Sequence, residues 1–256
     1  MCNPMSEDIE CRERDGVMEI LIDRPAKKNA LTTAMYQRMT AALANCSARP
    51  DIGALLFAGK GDDFCAGNDL QDFTRGPEGG EAAFAFIRAL AAFEKPVVAA
   101  VQGLAVGIGT TMLFHCDLVY AAPDARFVTP FVNLGLVPEA GSSLLAPATL
   151  GHARASAMLL LGEPIDAETA DRGGLLTAIV PAGDLLDHAR AKAKALLAKP
   201  PQALAAARRL IRGDLSHLLQ RIDEEAALFR QMLGSAEAQE AFAAFFEKRP
   251  PSFPRA

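Results

Sequence analysis

PheCysAlaGlyAsnAspLeu (64–70) and GlyLeuAlaValGlyIleGlyThrThr (103–111) decide the reading of this chain, together with ThrProPheValAsnLeuGlyLeuValProGluAlaGlySerSer (129–143) downstream. The first two are small-residue turns, and their glycines let the chain bend sharply and let a ligand approach the backbone closely. Their N–H groups are able to converge on one developing negative charge. The third stretch carries a lone carboxylate, Glu139, among apolar neighbours Phe131, Leu136 and Val137. Two donor turns and one carboxylate suggest proton transfer beside a carbonyl.

Outward from these turns the chain alternates strand and helix. ValMetGluIleLeuIleAsp (17–23), IleGlyAlaLeuLeuPheAla (52–58), ProValValAlaAlaValGln (96–102) and LeuValTyrAlaAla (118–122) read as strands, most of them apolar enough to be buried on both faces. Thr32 or Thr33 is placed to cap a helix with Met35, Met39 and Leu43 on one stripe. A helix is expected around 82–94, ended by Pro96, and another of about ten residues between the second turn and Cys116. Past Pro138 the pattern turns helical, with segments at 151–161, 166–172, 184–198, 201–212, 217–233 and 236–247. The glycine-bearing stretch 71–81 reads as a mobile connection that can help line a pocket.

Composition bounds the function. The chain has 256 residues, half of them hydrophobic, and a formal charge of −5, as expected of a globular protein with a large core. No basic stripe suited to nucleic acid stands out. Arg208, Arg209 and Arg212 lie along one predicted helix and read as a solvated face. Five scattered cysteines without a CxxC pair indicate free thiols in a reducing compartment. No basic-then-apolar leader opens the sequence, and no run approaches the ~18 apolar residues of a membrane span. These features imply a cytoplasmic protein that uses neither membrane nor nucleic acid. The four histidines show no metal-ligand spacing, so no metal is expected. GxGxxG, GxxxxGK and GxSxG are missing, which argues against dinucleotide, phosphate-loop and serine-hydrolase chemistry.

The two turns and the Glu139 stretch, with ArgProAlaLysLysAsnAlaLeu (24–31), CysAspLeuValTyrAla (116–121), AlaArgPheValThrProPhe (125–131) and PheGluLysArgProPro (246–251), resemble the enoyl-CoA hydratase/isomerase family, also called the crotonase family. The resemblance covers nearly the whole chain. It implies an α/β fold, a crotonase-like spiral of repeated ββα units over residues 1–198 that holds the active site, followed by a helical region over 199–256 that mediates assembly into trimers or dimers of trimers. It implies acyl-CoA thioester substrates, with coenzyme A entering as part of the substrate and no permanently bound cofactor.

Carried over residue by residue, the oxyanion-hole donors fall on the backbones of Asn68 and Ile108. The CoA-contacting positions fall on Lys27 or Lys28, the backbones of Ala30 and Leu31, and on Ala66, Asn68, Asp69 and Leu70. Phe245 and Lys248 match positions that reach the CoA of a neighbouring subunit. The two glutamates of the hydratases correspond to Thr111 and Phe131 here, so both are missing. Glu139 stands where peroxisomal-type Δ3,Δ2-enoyl-CoA isomerases, the members most similar to this chain, carry their single glutamate. The expectation is an acyl-CoA double-bond isomerase. A hydratase recruiting Glu139, a dienoyl or ring-type isomerase, and a non-catalytic CoA-binding or RNA-associated scaffold are the alternatives. For Glu139 itself the alternative is a helix-opening residue after Pro138. Asp69 is expected to orient its loop, Asp117 to begin a strand and His115 to pack inside.

Overall fold

A computed structural model describes residues 7–73 and 77–253. A hairpin opens it: β1 (Ile9–Arg14) runs antiparallel to β2 (Val17–Ile22) around Asp15-Gly16, whose φ values of 51° and 80° suit a tight hairpin turn. β1, IleGluCysArgGluArg, was not expected; its charged residues suit an edge strand that resists further pairing.

Strand–strand–helix units follow. β2 leads to an isolated bridge at Leu31 and then α1 (Thr33–Ala48), capped by the Thr32 side chain. β3 (Ala54–Gly59) leads to a bridge at Cys65, then α2 (Leu70–Phe73) and α3 (Pro77–Ala92). β4 (Val97–Val101) leads to β5 (Leu104–Val106) and α4 (Ile108–Thr111). β6 (Leu118–Ala121) leads to β7 (Arg126–Val128) and, after the Glu139 stretch, α5 (Ser142–Leu150).

The first strand of each unit joins one sheet of order β1-β2-β3-β4-β6-β9, parallel except for the opening hairpin; β9 is Ala178–Ile179. The second elements stack separately, Leu31 on Asn68, Cys65 on Ala105, and β5 on β7, with the short β8 (Ile165–Asp166) antiparallel at the end. Parallel pairing in both layers makes the chain wind as a spiral, each turn advancing by one strand spacing. The expected crotonase-like architecture is thus present.

Alternate side chains of the large sheet enter two cores. Ile20, Leu55, Phe57, Val97 and Ala99 face α1 and α3, while Val17, Leu21, Leu56 and Val98 face α8 (Leu185–Leu197). Burial on both faces explains why these strands read as continuous apolar runs.

Downstream come α6 (His152–Ser156), which continues into a π turn at Ala157–Leu161, and α7 (Ala167–Arg172). α9 (Pro201–Arg212), α10 (Ser216–Leu233) and α11 (Ala236–Glu247) make the rest helical. These helices fold back on the spiral, α10 against α3 and α11 against the turn at Val132–Leu134.

Several expectations change. α5 was not foreseen, because Pro147 and a pair of serines obscure its helical period. The ten-residue helix before Cys116 is a single α turn running into a 3-10 turn, Met112–His115. Arg208 is not solvated: 6% exposed, it pairs with Asp117 at 2.8 Å and donates to Phe93 O. Arg212 also donates to Phe93 O and to Ala91 O, so two arginines satisfy the C-terminal carbonyls of α3, while Arg209 alone is exposed. Asp117 precedes β6 as expected, and its Oδ2 accepts from Val97 N. Of the 71–81 connection, residues 74–76 lie outside the described residues. Among the described residues no helix is long and apolar enough to cross a membrane, and no cluster of three or more acidic, His or Cys side chains is arranged to hold a metal.

Candidate active site

The two small-residue turns lie side by side. Cys65 N–H donates to Leu104 O at 2.9 Å and Val106 N–H to Cys65 O at 2.8 Å. A Cβ on Gly67, at φ +86°, would stand 2.9 Å from Val106 O, and one on Gly109 would stand 2.5 Å from Cys65 O. Only glycine lets the strands approach this closely.

The donor positions follow from the same hydrogen bonding. Leu31 N–H donates to Gly67 O and Asp69 N–H to Leu31 O, both at 2.8 Å, so this bridge straddles Asn68 and leaves its N–H facing away from Leu31. On the other turn, Gly107 N–H is taken by Val128 O, and Gly107 O receives Thr110 and Thr111. Ile108 is the first residue of α4, and the helix itself offers no acceptor for its N–H. Ile108 is 2% exposed and belongs to the core, next to Gly107, which lines the cavity described below.

A cavity of about 720 Å³ opens at this junction. Its walls include Lys27, Ala30, Ala66, Asn68, Asp69 and Leu70 on one side and Gly107, Phe131, Leu134 and Leu136 on the other. Phe229 of α10 and Phe245, Phe246 and Arg249 at the end of α11 close it. Leu31 points its side chain into the core, 1% exposed, and takes part through its backbone. Lys28 and Lys248 are not wall residues; Lys28 is exposed beside Asp63, and Lys248 is the left-handed cap of α11. Phe245, 59% exposed, reaches the cavity of its own chain.

Asp69 does orient its loop. It binds Arg24 at 2.7 Å and accepts from the N–H groups of Gln71 and Asp72. These bonds keep its carboxyl below the usual range although burial opposes them. Two residues here escaped the sequence reading. Asn29, fully buried and left-handed at φ 59°, donates to Lys60 O and Asp63 O and accepts from Arg24 N–H, pinning the 24–31 segment to the first turn. Tyr36, inside α1, donates to Asn68 Oδ1. An Asn directly after the Lys27-Lys28 pair was the one available signal, because Asn tolerates left-handed backbone and turns.

Glu139 is 5% exposed and is not itself a wall residue. It precedes α5 by three residues, so it does not open that helix. Its Oε1 accepts a short hydrogen bond from Thr111 Oγ1, which brings it to the end of the second turn. Burial raises its carboxyl from 4.5 to about 8; the Thr111 bond opposes the rise and the Glu225 charge adds to it. Phe131 and Leu136, from the same stretch, give the cavity an apolar lining. The junction of the turns thus combines backbone N–H groups without helix or bridge partners, at Asn68 and Ile108, with a buried carboxyl raised towards neutral pH at the end of the second turn.

Spiral and site together define a crotonase-like α/β protein. The profile of the enoyl-CoA hydratase/isomerase family matches residues 12–255. The chain belongs to that enzyme family, whose members act on acyl-CoA thioesters. It is 36% identical over 254 residues to enoyl-CoA delta isomerase 2 of Rattus norvegicus, a match that takes in 96% of this chain and 65% of that longer protein. It is 34% identical to a probable enoyl-CoA hydratase of Mycobacterium bovis, over 96% of each chain. The crystal structure of an enoyl-CoA hydratase/isomerase from Pseudoalteromonas atlantica superposes with a TM-score of 0.92 at 38% identity, covering 97% of this chain and all of that one. Relatives at similar identity are thus named both isomerase and hydratase.

Proposed function

We propose that this chain moves a carbon–carbon double bond within an acyl-CoA, converting 3-enoyl to 2-enoyl thioesters with Glu139 as the single proton carrier. The thioester oxygen lies against the N–H groups of Asn68 and Ile108. Glu139 takes a proton from C2, the electron pair delocalises through the carbonyl as a dienolate held by those donors, and the same proton returns at C4. No atom is gained or lost, and no second acid is needed.

One observation carries the reading: Glu139 is buried at the end of the second turn, while the two positions that hold glutamates in hydratases are Thr111 and Phe131. Thr111 serves Glu139 as a hydrogen-bond donor, and Phe131 forms an apolar wall. A carboxyl that titrates near pH 8 suits both halves of a proton shuttle. The apolar lining from Phe131 and Leu136 disfavours the water that hydration would consume.

In this reading the CoA runs along Lys27, the lysine of the pair that lines the cavity, the backbones of Ala30 and Leu31, and Ala66, Asn68, Asp69 and Leu70. Phe245, which lines the cavity of its own chain, contacts the CoA there, and Lys248 approaches it from a neighbouring copy in a trimer or dimer of trimers. Leu210 and Ile211, 80% and 85% exposed on α9, support such an assembly, since large apolar side chains that exposed favour an interface. The free thiols of Cys11, Cys46, Cys65 and Cys116 support a cytoplasmic setting.

The test incubates purified protein with 3-enoyl-CoA and 2-enoyl-CoA esters of several lengths and identifies products by chromatography and mass. Interconversion of the two without gain of water is expected. Rapid formation of 3-hydroxyacyl-CoA from 2-enoyl-CoA would overturn the assignment.

A further inference from the structure

The turn that carries Glu139 is held from two sides by buried ionisable residues. Ala140 sits in the left-handed region at φ 61° and Gly141 follows at 69°, a conformation that a residue with a Cβ adopts only when its surroundings enforce it. The enforcing bonds are direct. Ala140 O accepts from His115 Nε2 at 2.8 Å, Gly141 N–H donates to Glu225 Oε2 at 2.6 Å, and Ser143 N–H donates to Glu225 Oε1 at 3.0 Å. His115 ends the 3-10 turn after α4, whereas Glu225 comes from the middle of α10, more than eighty residues away in sequence.

Packing explains neither side chain. A carbonyl only accepts, so a neutral His115 bound to Ala140 O carries its hydrogen on Nε2, and its Nδ1 is left buried without a partner. An apolar ring would fill the same space without that cost. Burial drives His115 down to about 4, with Arg212 also disfavouring its charge, so it stays a neutral donor. Glu225 is likewise 5% exposed; burial pushes its carboxyl up, and what favours the carboxylate is the Ser143 side chain, the N–H groups of Ser143 and Gly141, and the Arg221 charge. What each residue supplies is a grip on one side of the 139–143 turn.

We infer that His115 and Glu225 are positioning residues for Glu139, a clamp through which α10, in the helical C-terminal region, fixes the direction of the carboxylate. The inference rests on the isomerase reading and deepens it. Thr111 ties the tip of the Glu139 side chain and the clamp ties its backbone, so the carboxylate has little freedom to miss a proton at C2. A displacement of about 1 Å at such a site costs on the order of 10²-fold in rate.

Steady-state kinetics with a 3-enoyl-CoA ester, paired with hydrogen-exchange mass spectrometry, tests this on the full chain and four variants. His115→Phe and Glu225→Ala are expected to lower kcat by about 30- to 100-fold with KM within about threefold. They are also expected to speed exchange in peptides covering 139–143 while 103–111 stays as in the wild type. His115→Gln, whose amide can reach Ala140 O as Nε2 does, recovers kcat to within a few fold of wild type, and Glu225→Gln, with one acceptor left, falls between Glu225→Ala and wild type. Full kcat in His115→Phe and Glu225→Ala overturns the clamp alone. So does a His115→Gln variant no better than His115→Phe, or exchange that rises across the whole core. A wild-type protein that does not isomerise 3-enoyl-CoA overturns the isomerase reading, and the clamp's part in catalysis with it.

Discussion

Replacing Glu139 by Gln separates chemistry from stability in one variant. Gln has nearly the same shape and its carbonyl can still accept from Thr111 Oγ1, but it cannot take up a proton. Isomerisation is expected to be abolished, with CoA-ester affinity within a few fold. Stability should move the other way, and in a defined window. In the folded wild type the Glu139 carboxyl stays protonated up to about pH 8, whereas in the unfolded chain it ionises near 4.5. The unfolded state therefore releases its proton first. Wild-type stability has this contribution in full below pH 4.5, loses it progressively as pH rises towards 8, and levels off above. At about 1.4 kcal/mol per pH unit, the gap between 4.5 and 8 is about 5 kcal/mol at most. Glu139→Gln has no such slope. Urea unfolding of both proteins at pH 5, 7 and 9 should show the variant gaining on the wild type by several kcal/mol across the series. A difference that does not change with pH would mean the carboxyl is not held neutral by burial. Near-normal activity of the variant on every enoyl-CoA tried would place the base elsewhere and end the functional assignment.

The same carboxyl predicts that kcat/KM for isomerisation rises about tenfold per pH unit below 8 and flattens above it, because only the ionised form accepts the C2 proton; a flat profile from pH 6 to 9 contradicts this. Thr111→Val removes a bond that favours the charged form, so the acid limb of that profile should move to higher pH, readable from the same rate series. Ile108→Pro deletes the N–H proposed to face the thioester oxygen, at the first position of α4 where proline is tolerated, and should cut turnover by about 10²- to 10³-fold. Ile108→Ala keeps the donor and should cost mainly thermal stability, about 2–5 kcal/mol for a buried side chain; equal kinetic losses from both would mean that the side chain mattered.

The site was legible in the sequence to the extent that it is built from local backbone. Gly67 and Gly109 announce close approach, and the apolar run Leu136-Val137-Pro138 before Glu139 announces an isolated carboxylate, because these features depend on residues a few positions apart. The strands were legible for a similar reason: burial on both faces leaves uninterrupted apolar runs such as Ala54–Ala58. β1 and α5 were hidden by local chemistry that contradicts their state, charges in the strand and Pro147 in the helix. The Asp-Gly pair at 15–16 was the available sign of the first hairpin.

The electrostatics of the base could not be read this way. Glu139 owes its raised titration to burial and to the Glu225 charge on α10, while the hydrogen bond from Thr111, twenty-eight residues earlier, opposes the rise. No periodicity links those positions, and Glu225 in sequence is one acid among AspGluGlu on a surface-patterned helix. The same separation explains why Arg208 was misread: a helix face rich in arginine looks solvated until α3 is seen to end against it. Thr111 follows the same logic. Its hydroxyl contributes a hydrogen bond to Glu139, and a Glu placed there would put two like charges in one buried space. Thr111→Glu is accordingly expected to raise the titration of Glu139 further and depress isomerisation, without creating a hydratase, since Phe131 still leaves the second carboxylate position apolar.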